Sequence, residues 1–142
     1  MGDRANVAIV DADSDHAIVF YTHWGGYKLP NNVCDAIQLA KPRWNDSNYF
    51  NRIVLHHLMD VTTTPDSDTG AGISIDTSAM GEYPVIVIDQ SNQFVGCLSE
   101  KQFRCCDWSA DWFYQDDQKV ETIDFSDLTA RSLNNLRGKL NV

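Results

Sequence analysis

Residues 21–30 carry the side chains best suited to binding a ligand, because one short segment holds an imidazole, an indole, a phenol and an ammonium group. The ligand-binding residues that we predict in this segment are His23, Trp24, Gly25, Gly26, Tyr27 and Lys28. Trp24 and Tyr27 offer flat surfaces to a planar ring, and Lys28 offers a positive charge to a phosphate. Adjacent glycines permit positive φ angles and let a ligand approach the backbone closely.

A second cation and a second aromatic ring follow at Arg43 and Trp44, close to the predicted start of another helix. Together with residues 23–28 they predict a site for a small anionic, nucleotide-like ligand. Both tryptophans would stack on its ring, and Lys28 and Arg43 would pair with its phosphate. The alternative interpretation is a glycine turn whose aromatic neighbours wedge a strand against a helix. The sequence contains neither of the Gly-rich fingerprints that mark mononucleotide and dinucleotide sites.

The sequence contains few residue patterns that are typical of catalytic sites. It therefore favours a non-enzymatic protein with no catalytic residue, no metal site and no cofactor. His56 and His57 are adjacent on a predicted helix and point about 100° apart, which keeps them from binding one ion together. No Gly-x-Ser-x-Gly motif of a serine hydrolase is present. A small hydrolase in which His23 or His57 activates the Cys34 thiol is an alternative. The place of Cys34 near the apolar stripe of a predicted helix favours a packing role instead.

Twenty acidic residues against 11 basic ones give a net charge of −9. This charge opposes direct binding to nucleic acid, because a phosphate-binding face needs clustered Lys and Arg. The four cysteines include no Cys-x-x-Cys spacing, so we expect neither a zinc site nor a disulfide framework. No apolar run approaches the length that crosses a bilayer, and the first residues lack a signal-peptide pattern. We therefore expect a cytoplasmic protein with no membrane partner.

The hydrophobic pattern predicts an α+β fold formed by residues 1–142 as a single domain. It consists of a small, mostly antiparallel sheet, two adjacent helices after an N-terminal hairpin, and a C-terminal helix. Residues 7–10 and 17–21 are typical of the hairpin. The first helix is expected to start at a cap on Asn31 or Asn32 and to end at Pro42, and the second is expected to start at a cap on Asp46.

The second half of the sequence predicts three more strands at residues 72–76, 84–89 and 93–98, with 84–89 in the centre of the sheet. Residues 62–70 are typical of a loop. Residues 107–127 combine acidic and aromatic side chains and predict a further hairpin, after which Ser126 caps the last helix. This hairpin is either a solvated edge or a contact surface for a basic protein partner or a second copy of the chain. A protein–protein interaction inhibitor that acts through 107–127 is thus an alternative function.

A series of short segments is distinctive in its order and spacing: MGDRANV (1–7), YTHWGG (21–26), PRWND (42–46) with Tyr49 and Arg52-Ile53, TGAGIS (69–74), EYP (82–84) and VID (87–89). Through this series the chain resembles a family of small bacterial and bacteriophage proteins that has no established activity. The resemblance divides the chain into a family-like core, 1–98, and an acidic, aromatic C-terminal elaboration, 99–142. It implies a bacterial or phage-encoded protein in the bacterial cytoplasm, and a phage origin implies a role in host takeover or in evading host defence. Such a protein acts by sequestering a nucleotide signal or by occluding a host protein.

Overall fold

A six-stranded sheet with three helices on one face organises this computed structural model, which describes residues 2–11, 14–64 and 67–140. The strands and helices in chain order are β1 (Ala5–Val10), β2 (Ala17–Thr22), α1 (Leu29–Leu39), α2 (Ser47–Thr62), β3 (Ala71–Ile75), β4 (Val85–Asp89), β5 (Phe94–Leu98), α3 (Glu100–Arg104), β6 (Tyr114–Gln115), β7 (Gln118–Lys119), β8 (Thr122–Asp124) and α4 (Ala130–Lys139). Short 3-10 turns occupy Gly26–Lys28, Lys41–Arg43 and Phe125–Asp127.

The strands lie in the order β3-β2-β1-β4-β5-β8, and β6 and β7 form a separate two-stranded hairpin. β1 and β4 pair in parallel, whereas the other neighbouring strands of the sheet pair antiparallel. The predicted α+β fold, with its N-terminal hairpin, two adjacent helices and C-terminal helix, is confirmed. β4 is buried along its whole length in the centre of the sheet, which explains its continuous apolar sequence.

Two apolar clusters cover the two faces of the sheet. Helices α1, α2 and α4 cover one face, where Ile37, Phe50 and Leu133 pack against β1, β2 and β4. The opposite face is covered by α3 and by the aromatic side chains that follow it, including Trp108 and Trp112. Most of the aromatic character of residues 107–127 therefore serves the core.

Two predicted helix caps are wrong. α1 begins at Leu29 with Lys28 at its N-cap, so neither Asn31 nor Asn32 caps it, because the preceding 3-10 turn leads directly into the helix. α4 begins after Thr129, whose hydroxyl accepts from the Ser132 amide. Ser126 lies instead in a 3-10 turn. The predicted cap of α2 is confirmed, since the Asp46 carboxylate accepts from the Tyr49 amide.

The C-terminal hairpin is shorter than the sequence predicts. β6 and β7 each contain two residues, and Asp116 and Asp117 between them adopt positive φ angles of 52° and 64°. The chain then leaves the hairpin, and β8 extends the main sheet by pairing with β5. The pattern of the sequence also misses α3, which has only five residues. The predicted 62–70 loop begins one residue later, because α2 includes Thr62, and its residues 65 and 66 lie outside the described part of the chain.

Candidate functional site

The structure places the two halves of the predicted ligand site at opposite ends of the sheet. The Gly26 amide donates to the Asp3 carbonyl at 2.8 Å, just before β1 begins. The Trp44 carbonyl accepts from the Gln90 side chain at 2.7 Å, just after the parallel strand β4 ends. Helix α1 joins the two places and has eleven residues, a length of about 16 Å. Trp24 and Trp44 therefore do not share one ligand.

Arg43 and Trp44 have structural partners of their own. The Trp44 indole donates to the Ile37 carbonyl at 2.9 Å, and its ring packs 5.2 Å from that of Phe125. The Arg43 guanidinium lies 4.4 Å from the centre of the Tyr49 ring. These two residues stabilise the junction between α1 and α2, and the structure does not bring them to residues 23–28.

Gly26 is a packing residue. Its carbonyl accepts from the Arg137 guanidinium at 2.7 Å, and its amide is already bonded to Asp3. A Cβ atom at this position would lie 2.7 Å from the Asp3 carbonyl oxygen and 2.7 Å from the Tyr83 ring. The next amide, that of Tyr27, donates to the Asp3 carboxylate at 2.9 Å. The predicted backbone cradle for an anion is therefore wrong at Gly26. The aromatic neighbours of the turn do not wedge the strand against the helix either, since Trp24 and Tyr27 are 54% and 61% exposed.

A partly buried polar network lies beneath Gly26. The Tyr83 hydroxyl donates to the Asp3 carboxylate at 2.7 Å, and the Arg137 guanidinium lies 4.0 Å from the centre of the Tyr83 ring. The hydrogen bond with Asp3, assisted by burial, raises the pKa of Tyr83, so its hydroxyl keeps its proton and remains a donor. Arg137 is only 4% exposed although it is charged. Through Arg137 and Tyr83, this network joins α4 to Asp3, which precedes β1, and to Gly26, which precedes α1.

A concave surface remains beside His23 and Trp24, and we call it the aromatic slot. It has a volume of about 430 Å³, and its lining residues are Tyr21, His23, Trp24, Thr69, Gly70, Ala71 and Gly72. The His23 and Trp24 rings meet edge to face with their centres 4.7 Å apart. The Tyr21 hydroxyl lies 3.3 Å from Nδ1 of His23. Three aromatic rings thus converge on one small opening.

Gly72 leaves the slot open. It pairs with Tyr21 across the β2–β3 ladder, and an added Cβ atom would meet no other atom within 4 Å. Tyr21 lies on the same face as Ala17 and Val19, the face opposite α1, α2 and α4, because side chains alternate along a strand. The slot therefore opens on the face of the sheet that these helices do not cover.

The backbone that carries Trp24 is fixed on both sides. The His23 amide donates to the Gly70 carbonyl at 2.8 Å, and the His23 carbonyl accepts from the Asp3 amide at 2.9 Å. The Trp24 carbonyl accepts from the Thr22 hydroxyl at 2.7 Å. Yet the Trp24 side chain is 54% exposed. The backbone position of Trp24 is therefore set before a ligand arrives, which lowers the entropy cost of binding.

Of the eight predicted ligand-binding residues, only His23 and Trp24 line the slot. Tyr27 and Lys28 are exposed on the turn beyond it, where the ammonium group lies 5.6 Å from the centre of the Tyr27 ring. Gly25 provides the turn itself, with a φ of 77°. Sequence reasoning missed Tyr21 and Gly72, although the predicted hairpin and the predicted strand at 72–76 contained both.

A larger concave surface lies on the helix-covered face, between α2 and the strands β2 and β3, and we call it the α2 groove. Its volume is about 810 Å³. Ile18, Leu55 and Met59 form apolar parts of its lining, and Arg52, His56 and Asp60 form polar parts. Neither Arg52 nor Asp60 forms an ion pair within residues 2–11, 14–64 and 67–140.

The proposed Cys34 nucleophile gains no support from the structure. Cys34 is buried, and this burial, together with the charge of Asp35, raises the pKa of its thiol to about 11. A thiol with this pKa is protonated at neutral pH and is a poor nucleophile. In the described part of the chain, no three or more His, Cys, Asp or Glu side chains are grouped so that they could hold a metal ion. The helices within these same ranges are too short or too polar to cross a bilayer.

Comparisons of the chain with models of protein families, with curated proteins and with solved structures found no match.

Proposed function

We propose that this chain is a non-enzymatic binding protein and that the aromatic slot receives the planar ring of a small anionic, nucleotide-like ligand. The observation that carries the proposal is Trp24, because its indole is exposed on a backbone that is hydrogen bonded on both sides. A rigid aromatic side chain loses little conformational entropy when a ring stacks on it. Burying its exposed face also removes apolar surface from water.

The dimensions of the slot suit a ligand of this size. Its volume of about 430 Å³ lies within the range of small-molecule sites. The ring of the ligand stacks on Trp24 and occupies the space that Gly72 leaves open. His23 and the Tyr21 hydroxyl provide hydrogen-bonding groups to the edge of that ring. The anionic part extends to the turn, where the exposed Lys28 side chain meets it as a point charge.

The resemblance to bacterial and phage proteins supports a biological role for this binding. A phage protein that sequesters a nucleotide signal of its bacterial host needs affinity and no catalytic group. We therefore propose that the chain acts in the bacterial cytoplasm during host takeover or evasion of host defence. The negative net charge favours a small ligand over a nucleic acid polymer.

The proposal is tested by calorimetric titration of the folded protein with a panel of nucleoside triphosphates, cyclic mononucleotides and cyclic dinucleotides. We expect one class to bind, and we expect Trp24→Leu to weaken that binding about tenfold or more, because stacking on one aromatic ring is worth roughly 1–3 kcal/mol. Tyr114→Leu is the matched control, since Tyr114 is a comparably exposed ring on the β6–β7 hairpin, outside the slot.

Two results would contradict the proposal. The first is a folded wild-type protein that binds no member of the panel. The second is a nucleotide that binds with equal affinity to the wild type and to Trp24→Leu, because the site would then lie elsewhere on the molecule.

A further inference from the structure

Strand β3 forms one edge of the sheet and carries none of the features that protect edge strands. Its sequence, AGISI, contains no charged residue and no proline. Ile73 and Ile75 are 54% and 56% exposed. The opposite edge, β8, has only three residues and ends on Asp124. A longer apolar edge without charge is a template for pairing with another chain.

The hydrogen bonds between β2 and β3 show which backbone groups of β3 already have partners. The Asp76 amide donates to the Ala17 carbonyl at 2.9 Å, and the Gly70 carbonyl accepts from the His23 amide at 2.8 Å. In an antiparallel ladder, residues two apart on one strand face the same neighbour. The even-numbered residues of β3 therefore direct their backbone groups to β2.

The odd-numbered residues of β3 direct theirs to the open edge. These residues are Ala71, Ile73 and Ile75, which is a run long enough for an antiparallel pair of strands. The Ile75 carbonyl also accepts from the Thr77 amide at 2.8 Å at the end of the strand. The edge is thus a short ladder of backbone donors and acceptors centred on Ile73.

The side chains of the same residues face the helix layer. Ile73 pairs with Phe20 and Ile75 pairs with Ile18, and both of these β2 residues pack against the cluster beneath α1, α2 and α4. Phe20 is fully buried under the helix layer, whereas Ile73 and Ile75 are more than half exposed. An uncovered apolar strip therefore runs beside α2 along the same edge whose backbone is open.

One face of α2 carries a row of charged side chains that is complementary to a second copy of the same row. Arg52, His56 and Asp60 are exposed at intervals of four residues, so they lie in one row along the helix. The row has a positive end and a negative end, equally far from His56.

α2 begins just after Trp44, whose carbonyl is bonded to Gln90 at one end of the sheet, and ends at the start of β3, where a Cβ atom on Gly70 would lie 3.2 Å from the Thr63 hydroxyl. α2 and β3 therefore run in opposite directions. His56 precedes Thr63 by about 10 Å along the helix, and Ile73 follows Gly70 by about 10 Å along the strand, so the middle of the row and the middle of β3 lie at about the same level.

We propose that two copies of this chain pair through β3 about a twofold axis at Ile73. Ile73 then lies opposite Ile73 of the second copy, and Ile75 lies opposite Ala71. The sheets join into one, and the open backbone groups of both edges gain partners. A twofold axis at this point also places Arg52 of each copy near Asp60 of the other, because an isologous interface repeats every contact in reverse. Opposite charges facing each other in this way select the partner.

Sedimentation equilibrium over about 1–200 µM protein, at 150 mM salt, tests the dimer. We expect the wild type to form dimers within this range and Ile73→Lys to be a monomer throughout, because the lysine places a charge at the centre of the interface. Tyr114→Lys is the matched control, since Tyr114 is similarly exposed on the β6–β7 hairpin. It leaves the dimer unchanged. A monomeric wild type, or a dimer that survives Ile73→Lys but is lost in Tyr114→Lys, overturns the proposal.

A charge exchange tests the orientation of the two copies. Arg52→Asp alone places two negative charges at each contact, and Asp60→Arg alone places two positive charges there, so each variant dimerises at least tenfold more weakly than the wild type. An equal mixture of the two variants restores the dimer, as does the double variant Arg52→Asp/Asp60→Arg. Circular dichroism checks that each variant is folded. Singles as dimeric as the wild type, or a mixture that stays monomeric, contradict the twofold arrangement.

Discussion

The two faces of the β2–β3 ladder expose apolar surface of different kinds. On one face, the aromatic slot presents the Trp24 ring on a rigid backbone beside the open position of Gly72. On the other, Ile73 and Ile75 are exposed on the face that α2 covers, and α2 carries a row of opposite charges. A fixed flat ring suits a planar small molecule, whereas a self-complementary strip suits a second copy of the chain. Geometry and symmetry, more than the amount of exposed apolar surface, therefore indicate what each face binds.

The strongest test of this comparison uses one substitution on each face of β3. We expect Gly72→Leu to abolish nucleotide binding in the calorimetric titration, because the leucine fills the slot, and to leave the dimer intact. We expect Ile73→Lys to abolish the dimer and to leave nucleotide binding intact. These neighbouring residues point to opposite faces, so each serves as the control for the other. If either substitution removes both properties, the two faces do not act separately.

A second, smaller effect concerns the support beneath the slot. Gly26→Ala drives a methyl group into the Asp3 carbonyl and the Tyr83 ring, so we expect a loss of about 2–3 kcal/mol in the free energy of unfolding. Gly25→Ala meets no atom within 4 Å and suffers only from its positive φ, for an expected loss of about 1 kcal/mol. Urea denaturation measures both. Equal losses would show that the Tyr83 and Arg137 network does not depend on close packing at Gly26.

The smallest expected effect is a pH dependence at the end of β3. His16 Nδ1 lies 2.7 Å from the Asp76 carboxylate, and this hydrogen bond, with the charge of Asp76, raises the pKa of His16. Burial opposes the lowering of the pKa of Asp76, but the hydrogen bonds from His16 and the Ala17 amide outweigh it. The stabilisation from His16 is complete below about pH 6.5 and is lost as the pH rises through its raised pKa. The stabilisation from Asp76 is present above the ordinary pKa of an aspartate and is lost as the pH falls through the lowered pKa of Asp76 in the folded protein.

NMR titration of the His16 ring measures this effect. We expect Asp76→Asn to bring the pKa of His16 down towards its ordinary value, because the substitution removes the negative charge. An unchanged titration curve in Asp76→Asn would mean that the pair does not form in solution.

Local patterns in the sequence predicted much of the fold. The N-terminal hairpin, the two helices and the central strand follow from apolar spacing, which tertiary packing reinforces. The cap at Ser126 failed because Thr129, three residues later, is an equally suitable hydroxyl and only the 3-10 turn at Phe125–Asp127 decides between them. β8 could not be predicted as part of the main sheet, because it pairs with β5, which is distant in the sequence, and local patterns do not indicate such pairing.

The candidate site was predictable only in part. His23 and Trp24 were found because rare, chemically rich side chains cluster there. Trp44 was wrongly joined to Trp24, although the predicted helix between them already implied a separation of about 16 Å. Gly72 could not be found from residue type, because its contribution is the absence of a side chain opposite Tyr21.

The bond between Arg137 and the Gly26 carbonyl joins residues 111 positions apart in the chain. During synthesis on a ribosome, the turn that carries Trp24 emerges early, but the Arg137 bond to this turn forms only after α4 has left the exit tunnel. Until then, α4 does not cover the apolar surfaces of β1, β2 and α1. A nascent chain stalled before residue 137 should thus keep this turn open to chaperones and proteases, and completion of α4 is the step that ends this exposure.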